Sequence, residues 1–184
     1  PDTNRGVPIQ PNLRLQILLQ CARGLESLTR VGYYYTDLKA GNVLYRCGGD
    51  GRFVVALGDL GSAQLRPKNY NSHGALVGAF TYPPPEQLPM SRGVPLMPST
   101  IVWTLGMLML DLATVEAVHF YSRSSKQYAR LRADPGGKEV LQRGLEQLPS
   151  THKWDDFDSD IFNQMTRVDP EARIALHDLI SMLE

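Results

Sequence analysis

The stretch from Tyr35 to Gly61 constrains the fold of this chain more than any other. Two apolar runs in it flank a Gly-rich turn at 47–51, and this pattern is typical of a short β-hairpin. Polar side chains stand at the outer ends of the two runs: Asp37 and Asn42 before the first, and Asp59 after the second. Because a hairpin brings its two ends together, we expect these three side chains to converge.

Together these three side chains predict a particular kind of chemistry. Carboxylate and amide oxygens are the ligands that a hard cation such as Mg²⁺ prefers. With two carboxylates in the set, one can bind the cation while the other remains available as a base. The stretch therefore predicts a combined metal and base site at one end of the hairpin.

The residues around this site resemble the motifs of a known family. Asp37-Leu38-Lys39 followed by Asn42 is similar to the catalytic loop of the eukaryotic protein kinases, and Asp59-Leu60-Gly61 is similar to their DFG metal motif. The similarity extends from the first predicted helix to the last and covers the C-terminal lobe of that fold. It therefore implies a mainly α protein, a kinase-like C-lobe in which a short β-hairpin carries the catalytic and metal loops.

The resemblance also implies how the chain is divided. Residues 1–184 would form one C-lobe, with a catalytic loop at 35–42, a metal motif at 59–61 and an activation segment at 59–86. The N-terminal lobe, with its Gly-rich loop, strand Lys and partner Glu, is absent from these residues and is expected upstream in the intact protein. We therefore expect the isolated lobe to bind ATP poorly.

Each polar residue of the two motifs has an implied role. Asp37 and Lys39 would be catalytic: the Asp orients the attacking hydroxyl and accepts its proton, and the Lys neutralises charge on the transferred phosphoryl group. Asn42 and Asp59 would be the ligands of Mg²⁺. Together with Gly61, these two residues would form the part of the site that binds ATP.

The end of the predicted activation segment resembles another kinase motif. Residues 78–86 read Gly-Ala-Phe-Thr-Tyr-Pro-Pro-Pro-Glu, where the family has Gly-Thr-x-x-Tyr-x-Ala-Pro-Glu. In the family this Glu forms a buried ion pair with an Arg near the end of the lobe, and Glu86 and Arg173 stand at those positions. We predict that they pair, because a buried carboxylate without a cationic partner is strongly destabilising.

Four positions depart from the family pattern. Tyr35 and Thr36 replace the His and Arg of His-Arg-Asp, and without that Arg the usual phosphate clamp on the activation segment is not expected. Ala79 replaces the Thr that bonds to the catalytic Asp in Ser/Thr kinases, which leaves the substrate class open. Ile101 replaces an Asp that holds the catalytic-loop backbone, so we expect other contacts to hold this loop.

Three functions are compatible with these observations. The first is a divergent protein kinase that transfers a phosphoryl group from ATP to Ser, Thr or Tyr hydroxyls of a protein substrate, and the retained catalytic and metal residues favour it. The second is a pseudokinase, a scaffold or allosteric partner of another protein with little or no phosphotransfer, and the four changed positions favour it. The third is an unrelated helical interaction domain. The changed positions also resemble those of the secreted rhoptry kinases of apicomplexan parasites, without a motif specific to that group.

The composition argues against several other classes of protein. Nineteen basic and nineteen acidic residues leave a formal net charge of +0, which gives no basis for binding nucleic acid. No apolar run is long enough to span a bilayer. Two cysteines, Cys21 and Cys47, are too few and too differently placed for a disulfide scaffold or a zinc site, and we expect Cys21 to lie in the core. Nothing in the sequence indicates a compartment.

Apolar periodicity predicts the helical framework. We expect a helix at 12–30 and a second one at 99–113 that is apolar nearly all round and therefore buried. Weaker patterns predict helices at 128–131 and 138–148. The segment 154–165 contains a further helical pattern with its aspartates facing water, and after a turn at 169–170 a last amphipathic helix is expected at 174–183.

Overall fold

The chain folds into helices that pack on one another and on two small sheets. The structure is a computed structural model that describes residues 9–49, 53–65, 81–87, 96–114, 119–122 and 125–184. Its helices are α1 (Pro11–Arg30), α2 (Pro98–Ala113), α3 (Lys126–Ala133), α4 (Gly137–Thr151), α5 (Asp156–Met165) and α6 (Leu176–Leu183). Its strands are β1 (Tyr33–Tyr35), β2 (Val43–Cys47), β3 (Phe53–Leu57) and β4 (Ala63–Leu65). Single 3₁₀ turns lie at 40–42, 60–62, 85–87 and 170–172. The prediction of a mainly α protein is confirmed.

The predicted hairpin is formed by β2 and β3. These strands pair antiparallel, from Val43 opposite Leu57 to Cys47 opposite Phe53. The turn residues 50–52 lie outside the described part of the chain. Because the open end of the hairpin lies at Val43 and Leu57, the loops before β2 and after β3 meet there.

A second antiparallel pair, which the sequence did not predict, joins β1 to β4. Tyr33 lies opposite Leu65, and Tyr35 lies opposite Ala63. Strands of three residues are too short to show an alternating pattern in the sequence. Their pairing brings the segment just before the predicted catalytic loop beside the segment just after the predicted metal motif.

The side chain of Gln20 anchors the hairpin to α1. Its Nε2 donates to the carbonyl of Phe53 at 3.1 Å, and its Oε1 accepts from the backbone N–H of Val55 at 2.8 Å. The side-chain amide both donates and accepts, so it pairs with the backbone groups of β3 as a neighbouring strand would. The position of β3, and of the loop that follows it, is thereby tied to the helix.

Helix α2 runs through the centre of the core. Every residue from Thr100 to Leu110 is buried, and α1, α5 and α6 pack against this helix. At Gly106 an added Cβ would lie 2.6 Å from Cγ2 of Thr166, so glycine permits the close approach of α2 to the end of α5. Among the described residues, no helix is both long enough and apolar enough to cross a membrane.

The helix ends differ from the predicted ones by a few residues. Helix α1 begins at Pro11 rather than at residue 12, because proline lacks an N–H that the first turn would leave unpaired. Helix α4 continues to Thr151, with Pro149 in its last turn. These differences reflect local conditions at each helix end, which apolar periodicity does not contain.

A buried ion pair joins α1 to α5. Arg14 and Asp158 have side chains only 5% and 1% exposed, and Nη2 of Arg14 donates to Oδ2 of Asp158. The guanidinium lies over the ring of Trp154, with 5.2 Å between Cζ and the ring centroid. The expectation that the aspartates of this segment face water is wrong for Asp158, because a buried arginine compensates its charge.

The predicted pair of Glu86 and Arg173 is confirmed. Nη1 of Arg173 donates to Oε1 of Glu86 and Nη2 donates to Oε2, both at 2.7 Å. The guanidinium also donates to the carbonyl of Ser99 at 3.0 Å and lies 5.0 Å from the centroid of the Trp103 ring. This bidentate pair fixes the turn at 85–87 against α2 and the end of the chain.

Replacing Arg173 by alanine should destabilise the fold. The change Arg173→Ala leaves the carboxylate of Glu86 buried without its cation, which costs about 3–5 kcal/mol of the free energy of unfolding. Urea denaturation measures this loss. The matched control is Arg167→Ala, because Arg167 pairs with Glu146 through side chains that are 41% and 42% exposed, and we expect a loss below about 1 kcal/mol there. Equal stability of Arg173→Ala and the wild type would contradict the pairing.

The two thiols should differ in reactivity. Cys21 is buried, and burial raises the pKa of its thiol to about 12, whereas Cys47 is exposed on β2. Because the thiolate is the reactive form, a thiol reagent at pH 8 should label one cysteine in the native chain and two in urea. The variant Cys47→Ser should show no rapid labelling in its native state. Rapid labelling of that variant would place Cys21 at the surface.

Candidate functional site

The carboxylate of Asp37 lies at the centre of the candidate site. It follows β1 directly and is only 8% exposed. Oδ1 accepts a hydrogen bond from Oγ1 of Thr81 at 2.6 Å, and Oδ2 accepts one from Nζ of Lys39 at 2.7 Å. Burial raises the pKa of Asp37, but the hydrogen bonds from Lys39 and Thr81 more than offset it, so the pKa lies below its ordinary value. The carboxylate is therefore ionised at neutral pH.

Asn42 joins this carboxylate to the loop that follows the hairpin. Its Nδ2 donates to the backbone oxygen of Asp37 at 2.8 Å and to Oδ2 of Asp37 at 3.1 Å. The backbone carbonyl of Asn42 accepts a hydrogen bond from the backbone N–H of Gly58 at 2.7 Å. Because Nδ2 is engaged with Asp37, Oδ1 is the side-chain atom of Asn42 that remains for a cation.

Asp59 follows Gly58 and begins the turn at 60–62. It is exposed, and its backbone has φ of 46° and ψ of 61°, in the left-handed region that Asp tolerates better than most residues. A Cβ added at Gly61 would lie 3.4 Å from Oδ1 of Asp59. The carboxylate of Asp59 therefore lies over the backbone of Gly61, where glycine leaves the space beside it open.

Tyr35 connects the segments that carry Asp37 and Asp59. Its ring is fully buried, and its hydroxyl donates to the carbonyl of Gly58 at 2.9 Å. Burial raises the pKa of this hydroxyl, hydrogen bonding to Asn42 lowers it, and the charges of Asp37 and Asp59 raise it, with a net rise. Both carboxylates thus act on one hydroxyl, as expected if the ends of the hairpin converge.

The contact expected to be missing at Ala79 is made by another residue. Ala79 lies outside the described residues, but Oγ1 of Thr81 donates to Asp37 and lies 3.5 Å from Nζ of Lys39. Thr81 stands two positions beyond the family's Thr, so the motif did not identify it as a partner of Asp37. Asp37 therefore has a threonine partner, although alanine stands at the family's Thr position.

The loop predicted to be catalytic is held by contacts that do not involve a side-chain acceptor at position 101. Ile101 is 1% exposed and apolar, so its side chain accepts no hydrogen bond. In its place, the hydroxyl of Tyr35 binds Gly58, and the N–H of Ala40 donates to Oδ2 of Asp111 at 2.8 Å. Asp111 was also missed, since one acid near the end of an apolar helix resembles an ordinary surface residue.

The side-chain oxygens of Asn42 and Asp59 are of the kind that a hard cation such as Mg²⁺ prefers. Within the described ranges, no group of three or more His, Cys, Asp or Glu side chains could hold a metal ion by itself. Asn42 and Asp59 supply an amide oxygen and a carboxylate, a set that Mg²⁺ completes with water and phosphate oxygens.

The chain belongs to the protein kinase family. A family model described as the protein kinase domain matches residues 3–182, which is almost the whole chain. The hairpin, the carboxylate network of Asp37 and the ion pair of Glu86 with Arg173 lie within the matched region. The family assigned from the sequence motifs is thereby confirmed.

Curated relatives carry the same family name at low identity. The chain is 23% identical to serine/threonine-protein kinase 10 of Danio rerio over 164 residues, 82% of this chain and 16% of that protein. It is 28% identical to the protein of the same name from Xenopus tropicalis over 120 residues, 64% of this chain and 12% of that protein. A probable serine/threonine-protein kinase of Dictyostelium discoideum is 24% identical over 180 residues, 98% of this chain and 10% of that protein. The chain thus matches only a small part of each relative's length.

Removing the hydroxyl of Tyr35 should weaken the link between β1 and the loop at Gly58. The change Tyr35→Phe keeps the buried ring but deprives the Gly58 carbonyl of its donor, which costs about 1–3 kcal/mol of the free energy of unfolding. Urea denaturation measures the loss. Tyr33→Phe is the control, because the side chain of Tyr33 is 39% exposed. If both variants were equally stable, the hydroxyl of Tyr35 would contribute nothing to the fold.

Proposed function

We propose that this chain is the catalytic C-lobe of an ATP-dependent protein kinase. The observation that carries the proposal is the network around Asp37, in which a buried, ionised carboxylate accepts hydrogen bonds from Lys39, Asn42 and Thr81. A surface Asp and Lys pair would need neither burial nor an amide and a hydroxyl from separate segments. Such an arrangement is typical of a positioned base.

Asp37 serves as the base for the attacking hydroxyl. An ionised carboxylate has about four lone-pair sites, and Thr81, Lys39 and Asn42 occupy three of them. One site is left for the hydroxyl of a substrate. The lowered pKa of Asp37 suits a group that orients the hydroxyl early and accepts its proton late in the transfer.

Lys39, Asn42 and Asp59 act on the phosphoryl group and its cation. The ammonium of Lys39 lies 2.7 Å from Asp37, so it would meet the transferred group beside the base. Oδ1 of Asn42 and the carboxylate of Asp59 would hold Mg²⁺, and Gly61 leaves room beside that carboxylate for ATP. When bound, Mg²⁺ would neutralise charge on the β- and γ-phosphates of ATP.

The substrate is a Ser or Thr hydroxyl of another protein. Thr81 supports this choice because it restores the contact to the base that the resemblance associates with Ser/Thr kinases. The curated relatives described above are named as serine/threonine-protein kinases, one of them as a probable one. An N-lobe upstream in the intact protein would complete the ATP cleft.

The second candidate is a pseudokinase that binds and regulates a partner protein. Thr36 favours it, because this buried residue stands where the family's cationic Arg would bind a regulatory phosphate. Loss of regulation through a phosphorylated activation segment is compatible with loss of phosphotransfer activity. The retained network around Asp37 weighs against this candidate, since a scaffold needs no positioned base.

Phosphotransfer by the full-length protein should require both carboxylates. Asp37→Asn and Asp59→Asn keep the side-chain shapes but remove the charges, and each should lower kcat by about 10²–10⁴-fold. The assay measures transfer of labelled phosphate from ATP to a generic protein substrate with and without Mg²⁺. Asp160→Asn is the control, because Asp160 is exposed on α5 and its carboxylate accepts a hydrogen bond from Gln164.

The outcomes separate the two candidates. Loss of transfer in both site variants, with the control unchanged, supports the kinase. A wild-type protein that shows no turnover supports the pseudokinase, and a thermal shift with Mg²⁺-ATP then tells whether the nucleotide still binds. Full activity of Asp37→Asn and Asp59→Asn would contradict the site itself.

A further inference from the structure

A small apolar pocket is lined by α3, by α4 and by the segment between α2 and α3. It has a volume of about 300 Å³, which is at the lower end of the range for small-molecule sites. Phe120 and Tyr121 line it from the segment after α2, and Leu131 lines it from α3. One face of α4 completes the lining, with Val140, Leu141, Gly144 and Leu148. None of these residues takes part in the hydrogen bonds of Asp37.

Of the described residues that line this pocket, only Tyr121 has a polar side-chain group. Tyr121 is 5% exposed, and its hydroxyl has no hydrogen-bond partner in the part of the chain that the structure describes. The neighbouring Tyr128 differs, because its hydroxyl donates to the carbonyl of Pro83 at 3.1 Å. Burial raises the pKa of Tyr121 to about 12, so its hydroxyl stays protonated at neutral pH. The pocket therefore contains one buried donor that these residues leave unused.

Gly144 leaves the hydroxyl of Tyr121 accessible from the pocket. A Cβ added at Gly144 would lie 3.9 Å from this hydroxyl oxygen, which is an ordinary van der Waals distance. Packing therefore does not require glycine here, in contrast to Gly106, where an added Cβ would lie 2.6 Å from Thr166. Glycine inside a helix is also destabilising relative to alanine. What glycine provides at this position is open space in front of the hydroxyl, which a longer side chain would fill.

The lining determines which kind of ligand the pocket suits. An ordered water needs about 2–4 polar partners, so one hydroxyl holds water weakly and an apolar molecule can displace it. The rings of Phe120 and Tyr121 contact edge to face, with 4.9 Å between their centroids, and an aromatic ligand can extend this packing. No charged side chain among the described residues lines the pocket, so an ionised ligand group would lose its hydration without a partner. The acceptor of the ligand should therefore be neutral.

We propose that this pocket is a second binding site, which takes a small neutral aromatic molecule with one hydrogen-bond acceptor, such as an aryl ketone. The ring of the ligand lies among the apolar side chains of α3 and α4, and its carbonyl accepts from the hydroxyl of Tyr121. This inference goes beyond the proposed function, because binding here requires neither ATP nor phosphotransfer.

Three probes of similar size test the ligand chemistry on the full-length protein. Acetophenone has a neutral acceptor, ethylbenzene has none, and benzoate has an ionised one. NMR titrations that follow the probe signals and the Gly144 amide give the dissociation constants. Acetophenone should bind at least about tenfold more tightly than benzoate, because the pocket supplies no cation. Tighter binding of benzoate would overturn the assignment of a neutral ligand.

Two variants locate the site. Tyr121→Phe removes the donor and keeps the ring, so it should weaken the binding of acetophenone by about 3- to 10-fold and that of ethylbenzene by less than about twofold. Gly144→Leu fills the pocket and should abolish the binding of both probes. Ser150→Leu is the control, because Ser150 is exposed on α4 and does not line the pocket. This control should bind acetophenone as the wild type does.

Thermal unfolding without a ligand tests whether the hydroxyl of Tyr121 is unused in the free protein. Tyr121→Phe should melt at or above the temperature of the wild type, whereas Tyr128→Phe should melt lower, since it deprives the Pro83 carbonyl of its donor. A loss of stability in Tyr121→Phe as large as that in Tyr128→Phe would show that the protein already uses this hydroxyl, and would overturn the proposal. If Gly144→Leu fails to fold, Tyr121→Phe with the two uncharged probes still decides.

The outcomes are separate from those of the proposed function. A wild type that binds no acetophenone at millimolar concentration, or a folded Gly144→Leu variant that binds it normally, would overturn the site. Equal weakening of acetophenone and ethylbenzene by Tyr121→Phe would overturn the role of the hydroxyl. Saturating Mg²⁺-ATP should change the dissociation constant of acetophenone by less than about twofold. Competition between the two would place acetophenone in the candidate ATP site instead, whereas a wild type without phosphotransfer leaves all these binding results valid.

Discussion

The buried negative charge of Asp37 is the constraint on which the candidate site depends. A carboxylate removed from water must be compensated by donors, or burial would protonate it. Its donors come from two separate parts of the chain: Lys39 and Asn42 lie in its own loop, and Thr81 lies in the segment before Glu86. The carboxylate of Asp37 therefore stabilises the contact between these two segments. In turn, the hydrogen bonds from both segments keep this carboxylate ionised.

Helix α2 supplies the support that this arrangement needs. Its residues from Ile101 to Leu110 are buried, and the one hydroxyl among them, that of Thr104, donates to the carbonyl of Ile101 in the same helix. The hydrogen bonds to Glu86 and Ala40 therefore lie near its two ends. At the N-terminal end, Arg173 joins Glu86 to the carbonyl of Ser99. At the C-terminal end, Asp111 receives the N–H of Ala40. The helix thus holds the turn that carries Glu86 at one end and the loop that carries Lys39 and Asn42 at the other.

At positions that depart from the kinase pattern, hydrogen bonds from other atoms or residues replace the contacts that the family's residues would make. Tyr35 takes the place of a histidine and still bonds to the loop before Asp59, through its hydroxyl to Gly58. Thr81 contacts the base from two positions beyond the usual Thr. These substitutions alone would suggest a disabled member of the protein kinase family. Their replacements keep Asp37 buried, ionised and hydrogen-bonded, which is the physical reason that we propose catalysis rather than a purely structural role.

The sequence predicted the features that depend on neighbours along the chain or on recognisable motifs. The buried helix at 98–113 follows from a continuous apolar run, and the hairpin follows from two runs around a turn. The pair of Glu86 and Arg173 follows from motif positions, and the closeness of Asn42 to Asp37 agrees with the convergence expected at the end of the hairpin.

Other features were decided only by the tertiary structure. Thr81 and Asp37 are 44 residues apart in the chain, and Asp111 and Ala40 are 71 apart. Whether such side chains meet depends on how elements pack, which no local pattern contains. The same holds for Asp158. The sequence pattern predicts that it is solvated, but in the structure it is buried and paired with Arg14 of α1. The sequence by itself determined which groups could do the chemistry, and the packing decided which groups hold them in place.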